Sequence, residues 1–432
     1  MAHNVARDPF DTKTDELVAK ILSELHVPGI ALAVVNEENT WSKYYVSGSI
    51  TKPFTAAAAA LLVEDEKHSD ITWETSMSKL IPDDFVLTND YATNHITLED
   101  CLSHRTGIAT HHADLGGLSL KQNVRNLRHL VMSKELRNKW QYSNHMYMAV
   151  SLMIEEKTGQ PLGEFLHERL WQPLGMQTTF LGHQDASAYQ KSHPQVEFAR
   201  RHMWDEAANS FRTLPDWEDL GLSGAGAMVS NVADCAELIR AFIEQKAPIS
   251  TKGYEALTGA HMIVEPKSSR FTGPVCYGLG WYIVVYHGER VLYHPGGLIG
   301  SVASLIILPD RKFGIVGMCN ITNEEALDAA MWHIIDGHLG VPKDARTDFI
   351  KVAKEGLQGM RNFAENAKDI IFPPKHIDGD TFLAKADLVG LVPVRAKATF
   401  KIDSKDSQPK LGVEFADDLT TWFVRIDSGG HR

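Results

Sequence analysis

The spacing of apolar positions along this chain changes several times, and each change marks an element. From Asp11 to Leu25 they recur at helical spacing, with Leu17, Val18, Ile21, Leu22 and Leu25 on one stripe, which predicts an amphipathic helix. Pro28-Gly29 breaks it. Ile30 to Val35 is a continuous apolar run of strand length, Asn36 to Thr40 a polar turn, and Trp41 to Val46 a second, short strand. The strand pair leads directly into Gly48-Ser49-Ile50-Thr51-Lys52-Pro53-Phe54-Thr55, followed by a run of five alanines and Leu61-Leu62-Val63. This reads as a turn opening into a buried helix. Gly48 permits the turn, Pro53 is tolerated in a first helical turn, and Ala and Leu propagate the helix. A strand pair feeding such a helix predicts an α/β or α+β layer structure.

From Thr72 to about Gly182 the pattern is mostly helical with loops. Thr97-Leu98-Glu99-Asp100 has the form of an N-cap with acidic first-turn residues, opening a short helix that ends near Gly107. Met146 to Lys157 is a strongly apolar helix stopped at Gly159, and Glu164 to Trp171 another, ended by Pro173. Gly221 to Asn231 is a loop rich in Gly, Ser and Ala, followed by a helix over Val232 to Gln245. Three strand-like runs come next, at Trp281 to Tyr286, Ser301 to Leu308 and Gly314 to Cys319, the last two joined as a hairpin by Pro309 to Lys312. A helix over Glu324 to His338, capped by Gly340, closes this part. Residues 1–341 are therefore expected to form one domain. Residues 342–375 are expected to hold a helix (Asp348 to Lys368) and a linker at Phe372-Pro373-Pro374-Lys375. Short alternating runs at Ala398 to Ile402, Leu411 to Phe415 and Trp422 to Ile426 predict a small β-rich appendage over 376–432.

Composition narrows the function classes. A net charge of −12, with no basic block to reverse it locally, argues against nucleic acid or an anionic membrane as partner. No apolar run is long enough to span a bilayer, and Met1 to Lys20 lacks the apolar core of a signal peptide, so a cytoplasmic location is expected. Cys101, Cys235, Cys276 and Cys319 are scattered and never spaced as C-x-x-C, which reads as free core thiols rather than a zinc or dithiol site. No cofactor or metal is expected. His111-His112 with Asp114 lacks a converging further ligand and reads as a polar loop.

The candidate chemistry starts at Ser49 and Lys52, which are three apart and so share one face of a helix. A hydroxyl beside an amine at a helix start is a candidate activated nucleophile, although an N-cap serine beside an exposed lysine would look the same. The S-x-x-K spacing occurs three times. Ser407/Lys410 is interrupted by Pro409 and Ser76/Lys79 lies in a polar stretch read as a surface turn, whereas Ser49 alone follows an apolar strand and opens an apolar helix. Tyr142 and Asn144 lie two apart just before the helix at Met146, where both can point into one cleft; a half-buried tyrosine next to an N-capping asparagine is the ordinary alternative. Tyr293-His294-Pro295-Gly296-Gly297 places glycines beside strand-like runs, where backbone N–H groups can approach a ligand, or where a plain Pro-Gly turn can sit.

Ser49-x-Thr-Lys52, Tyr142-Ser-Asn144 and His294-Pro-Gly296 occur in the order and rough spacing of the three motifs of serine β-lactamases and penicillin-binding-protein-like enzymes. The chain most resembles the class C β-lactamase-related branch, which also holds esterases, D-aminopeptidases and acyltransferases. Ile96-Thr97-Leu98 through Leu102-Ser103-His104-Arg105-Thr106-Gly107, Pro173-Leu174-Gly175-Met176, Gly224 to Ser230 and Tyr277-Gly-Leu-Gly-Trp281 match the same family's habits. The resemblance implies an antiparallel sheet flanked by helices beside an all-helical subdomain. It also implies a serine hydrolase cleaving an ester, lactone or amide of a small molecule through an acyl-enzyme on Ser49. Lys52 and Tyr142 would then handle the proton as a coupled pair, Asn144 would orient the substrate, and the N–H groups of Ser49 and Gly297 would form the oxyanion hole. His294 replaces the lysine of penicillin-recognising members, which favours esters, lactones or acyl transfer over β-lactams. Acyl transfer to a small acceptor is the alternative activity. A non-catalytic member is a third reading, because Trp41 to Val46 is shorter than the family's usual approach to the nucleophile and the appendage stops short of a closed barrel.

Overall fold

The computed structural model describes residues 10–36, 48–109, 118–206, 208–215 and 221–355 with their side chains, and the backbone of 44–46 and of five strands between 376 and 424. Contacts divide the chain into two compact units, 1–350 and 351–432. In the first, helix α1 (Thr12–Glu24) starts where the Asp11 carboxylate accepts the N–H groups of Lys13 and Thr14 at 3.1 and 3.0 Å. Strand β1 (Ile30–Asn36) follows, then β2 (Tyr44–Val46), helix α2 (Thr51–Val63) and helix α3 (Asn144–Thr158). Beyond these come β3 (Phe180–Leu181), β4 (Met228–Asn231), α4 (Val232–Glu244), β5 (Met262–Glu265), β6 (Val275–Tyr277) and β7 (Tyr282–Tyr286). The unit closes with β8 (Glu289–Leu298), β9 (Ser301–Leu308), β10 (Phe313–Cys319) and α5 (Glu324–Leu339).

The main sheet is antiparallel throughout, in the order β1-β10-β9-β8-β7-β6-β5. β9 and β10 are buried at every position, because helices cover both faces of the sheet. A β-carbon on Gly314 would meet Ile239 of α4, whereas one on Gly317, three residues along and on the opposite face, would meet Leu327 of α5. α1 packs beside α5. This is the expected mixed α/β arrangement of an antiparallel sheet flanked by helices.

Two expectations about the strands are corrected. β1 does not pair with β2: it is an edge strand of the main sheet whose apolar run is matched to β10, Ile30 opposite Cys319 and Asn36 opposite Phe313. β2 instead joins a small sheet in the order β2-β4-β3, with Tyr44 opposite Asn231. β4 lies inside the stretch expected to be loop over Gly221 to Asn231, where Met228, Val229 and Ser230 are buried and extended. Residues 37–43, in which the short approach to Ser49 was noted, lie outside the described residues, as do His111, His112 and Asp114.

The second unit carries β11 (His376–Asp378), β12 (Thr381–Ala386), β13 (Val394–Ile402), β14 (Pro409–Phe415) and β15 (Leu419–Val424), paired in that order as an antiparallel meander. β11 and β12 add to the three runs expected from sequence. The helix expected from Asp348 is present over 349–355; its continuation to Lys368 and the linker at Phe372 to Lys375 fall outside the described residues. Among the described residues no helix is long and apolar enough to cross a membrane.

The helix expected at Thr97 forms over Leu98–Leu102 with a reciprocal capping box between Thr97 and Asp100. Asp100 is wholly buried and is held by Arg105 Nε at 2.5 Å and by Arg137 Nε and Nη2 at 2.9 and 2.8 Å. Burial alone would raise its pKa, but hydrogen bonds from Arg137, the Thr97 N–H and Arg105 outweigh it and leave the carboxyl below its usual range. Asp100→Asn removes the charge and leaves two guanidinium groups facing an amide, a loss of about 3 kcal/mol in denaturant melts at neutral pH. Because the folded-state pKa is depressed, the wild-type advantage is present above the unfolded carboxyl pKa of about 3.9 and shrinks as pH falls through the lower folded value. Melts of both proteins from pH 7 down to pH 3 check this.

Candidate active site

The site is built on a helix that has no solvent face. Every residue of α2 from Thr51 to Leu62 is buried, as befits an apolar helix inside a large domain, and Ala56 to Ala60 let neighbouring elements approach closely. Lys52 stands in the first turn of this helix and is 0% exposed, so its amine cannot reach water along its stem. Its partners are internal. Nζ lies 2.7 Å from Asn144 Oδ1, 2.6 Å from the Ala225 carbonyl oxygen and 3.4 Å from Ser49 Oγ. The amine also sits over the Tyr142 ring, 4.5 Å from its centroid, and 5.3 Å from that of Tyr147. Burial drives the Lys52 pKa well below the ordinary lysine value.

Ser49 occupies a single 3₁₀ turn, Gly48–Ile50, that runs into α2. The Thr51 hydroxyl fixes the turn, donating to the Gly48 carbonyl at 2.6 Å and accepting the Met228 N–H of β4 at 3.2 Å. Gly48 has φ +55°, and a β-carbon there would come within 3.0 Å of the Gly297 nitrogen. Glycine is required on both counts. Gly297 and Gly296 belong to β8, which contradicts a plain turn at Pro295-Gly296-Gly297. This end of the strand is paired with β9 alone (Gly296 opposite Ala303, Gly297 opposite Val302), while β7 stops at Tyr282 opposite Tyr293. Pro295 is tolerated because one edge is unpaired, and that edge lies against the Gly48 turn.

Asn144 is the first residue of α3, with Tyr142 and Ser143 leading into it. The Tyr142 hydroxyl is hydrogen-bonded with Ser49; burial nevertheless keeps its pKa above the usual tyrosine value, with a smaller push from the charge of Glu324. Thus Ser49, Lys52, Tyr142 and Asn144 converge, with Gly297 against the turn that carries the serine.

His294 faces the same cluster but is 1% exposed, and both ring nitrogens are engaged within the protein. Nδ1 lies 2.6 Å from the Pro295 carbonyl, which can only accept, so Nδ1 carries the proton. Nε2 then accepts from the Tyr277 hydroxyl at 2.9 Å. Burial, with the nearby charge of Lys52, lowers its pKa to about 3 despite the opposing Pro295 bond. The imidazole is a neutral wall of the site.

Sequence reasoning gave no role to two residues here. His104, buried and at φ 58°, accepts the Ser143 N–H on Nδ1 at 3.1 Å, and its carbonyl accepts the Gln141 N–H at 2.8 Å. The two bonds clamp the Gln141 to Ser143 segment from one side, and the His104 ring lies 4.5 Å from that of Tyr142. The only sequence signal was the Ser103-His104-Arg105-Thr106-Gly107 run. Glu324, the first residue of α5, brings Oε1 to 3.3 Å from where a β-carbon on Gly297 would sit, a contact no local pattern could announce. The rival serine–lysine pairs are not assembled in the same way. Ser76 is buried at the start of a short helix, not in the expected surface turn, while Lys79 is exposed; Ser407 lies outside the described residues. Among the described residues no group of three or more His, Cys, Asp or Glu side chains converges as a metal site, and Cys101, Cys235, Cys276 and Cys319 are all free thiols.

Comparison with known proteins agrees with this architecture. The unguisins hydrolase ungD' of Aspergillus campestris (strain IBT 28561) is 34% identical over 393 residues, spanning 85% of this chain and 72% of that protein. The unguisins hydrolase ungD of Aspergillus violaceofuscus (strain CBS 115571) is 32% identical over 410 residues, spanning 84% of this chain and 71% of that protein. Among solved structures, the octameric penicillin-binding protein homologue from Pyrococcus abyssi superposes with a TM-score of 0.67 at 18% identity, covering 95% of this chain and 94% of that one. The Beta-lactamase family model matches residues 14–339, from α1 to the end of α5. The chain belongs to the beta-lactamase family.

Proposed function

We propose that this protein is a serine hydrolase that cleaves an ester or amide bond of a small molecule through an acyl-enzyme on Ser49. The observation that carries the proposal is the hydrogen-bonding arithmetic at Lys52. A neutral amine has two N–H donors and one lone pair. Asn144 Oδ1 and the Ala225 carbonyl, at 2.7 and 2.6 Å, can only accept, so they take the two N–H groups. The lone pair is left for the remaining neighbour, Ser49 Oγ, at 3.4 Å. Burial shifts Lys52 towards this neutral form, and in that form the amine beside Ser49 is a general base for its hydroxyl.

The reaction then runs in two halves. Ser49 Oγ attacks the carbonyl carbon as its proton passes to Lys52, and the N–H groups of Ser49 and Gly297 stabilise the oxyanion. Tyr142, a neutral phenol hydrogen-bonded with Ser49, is placed to pass a proton on to the leaving oxygen or nitrogen. Water reverses the sequence and releases the acid. Asn144 holds the lysine and orients the substrate, and the unpaired edge of β8 offers backbone groups to an extended ligand. The two fungal relatives are named as unguisins hydrolases, so unguisins are the first substrates to assay.

Ser49→Ala is expected to lower hydrolysis of a p-nitrophenyl ester by at least about 10³-fold while leaving the melting curve in place. Retained turnover would exclude Ser49 as the nucleophile. The pH profile tests the base. Because the Lys52 pKa is lowered, kcat/KM should rise as pH climbs through that lowered value and reach its plateau well below the ordinary lysine pKa of about 10.4. An ascending limb centred at the ordinary value would contradict a buried, pre-neutralised amine.

A further inference from the structure

Beside Gly297, the residue that lies against the turn carrying Ser49, stands a charged group that the chemistry above does not use. Glu324 leans over the edge of β8, its Oε1 lying 3.3 Å from the β-carbon position of Gly297. Any side chain at 297 would crowd it, so glycine there lets a carboxylate stand beside the backbone assigned to the oxyanion hole. Its charge is felt by Tyr142, the hydrogen-bond partner of Ser49, and by Tyr282. The residue as a whole is exposed, yet the carboxyl is drawn into a partly desolvated rim; this burial, with Glu325 and Asp328 close by, raises its pKa.

Nothing basic answers this charge among the described residues. Arg270, which lines a pocket of about 210 Å³ together with Glu324, Tyr293 and Pro295, gives Nη1 to Asp328 at 2.7 Å. Lys52 is enclosed among Ser49, Asn144 and Ala225, and His294 is a neutral imidazole bonded to Tyr277 and Pro295. Arg201, at Ile299 two residues along from Gly297, gives its Nη1 to the Ile299 carbonyl and its Nη2 to the Pro215 carbonyl. A substrate carboxylate entering beside Gly297 would therefore meet a carboxylate that has no ion pair among the described residues.

We infer that Glu324 sets the charge selectivity of the cleft, disfavouring substrates with a carboxylate close to the scissile carbonyl and admitting neutral or cationic ones. The inference rests on the proposal that Ser49 is the acylated residue. It assigns the substrate class as carboxylate-free esters or amides, which a third motif lacking lysine only partly predicted. Like charges a few ångströms apart at a solvent-reached rim repel by an amount equivalent to about tenfold in rate, and added salt screens the effect.

The test uses two matched pairs of esters. One pair carries the carboxylate on the acyl half (p-nitrophenyl butyrate against p-nitrophenyl hemisuccinate). The other carries it on the leaving half (the acetyl ester of methyl 3-hydroxybenzoate against that of 3-hydroxybenzoate). The readout is the neutral-to-anionic ratio of kcat/KM, measured for the full chain, Glu324→Gln and Glu324→Lys at low and high salt. The ratio is expected to fall by about tenfold in Glu324→Gln for at least one pair, and further in Glu324→Lys. Salt should erode discrimination in the wild type more than in Glu324→Gln. Ratios unchanged in both folded variants for both pairs, with neutral esters still hydrolysed, would overturn the role of Glu324 and leave the Ser49 chemistry standing. Neutral esters untouched by the wild type would overturn the Ser49 chemistry itself, and the inference with it.

Discussion

An amine carried into the protein interior on a helix with no exposed face is the constraint from which the rest of the site follows. Lys52 cannot snorkel, so its N–H groups need acceptors delivered from elsewhere in the chain. Two distant segments supply them. The start of α3 brings Asn144, and the turn at Ser223–Ala225 brings a backbone carbonyl. That turn is itself tied to both helices: Thr55 of α2 donates to the Gly224 carbonyl at 2.7 Å, and Ser151 of α3 accepts the Gly224 N–H at 3.1 Å. Gly224 has no room for a side chain, since a β-carbon would collide with both hydroxyls. Satisfying one buried amine thus fixes the relative placement of α2, α3 and the segment leading to β4.

The same enclosure sets the protonation states around it. Burial lowers Lys52 and His294 and raises Tyr142, so each favours its neutral form for one physical reason. A neutral base and a neutral acid side by side suit the proposed proton traffic, in which the amine takes a proton and the phenol gives one. Glu324 feels the same push, with its pKa raised by partial burial, but unlike the other three it belongs to a residue exposed to solvent. Charge there acts on what enters, whereas the interior acts on what reacts.

Much of this was legible in the sequence wherever the signal is local. The turn and α2 could be read because Gly48, Pro53 and an apolar run have one-dimensional signatures, and Ser49 and Lys52 share a helix face by spacing alone. The capping box at Thr97 and Asp100 was legible for the same reason. Pairing was not. β2 follows β1 in the chain yet joins β4, while β1 pairs with β10, a strand nearly three hundred residues away, so neighbours in sequence are not neighbours in the sheets. Glycines and small residues concealed β4 and the end of β8, because their extended form comes from neighbours rather than from propensity. His104 and Glu324 are ordinary residues until the fold sets one behind Tyr142 and the other over Gly297.

The central claim is that Ser49 Oγ, facing the lone pair of Lys52, becomes acylated. Intact-mass measurement of the protein treated with a fluorophosphonate, followed by peptide mapping, tests it most directly. The account predicts one adduct per chain, located on Ser49 and lost in Lys52→Ala. An unlabelled chain, or an adduct mapped to Ser76 or another serine, would contradict it.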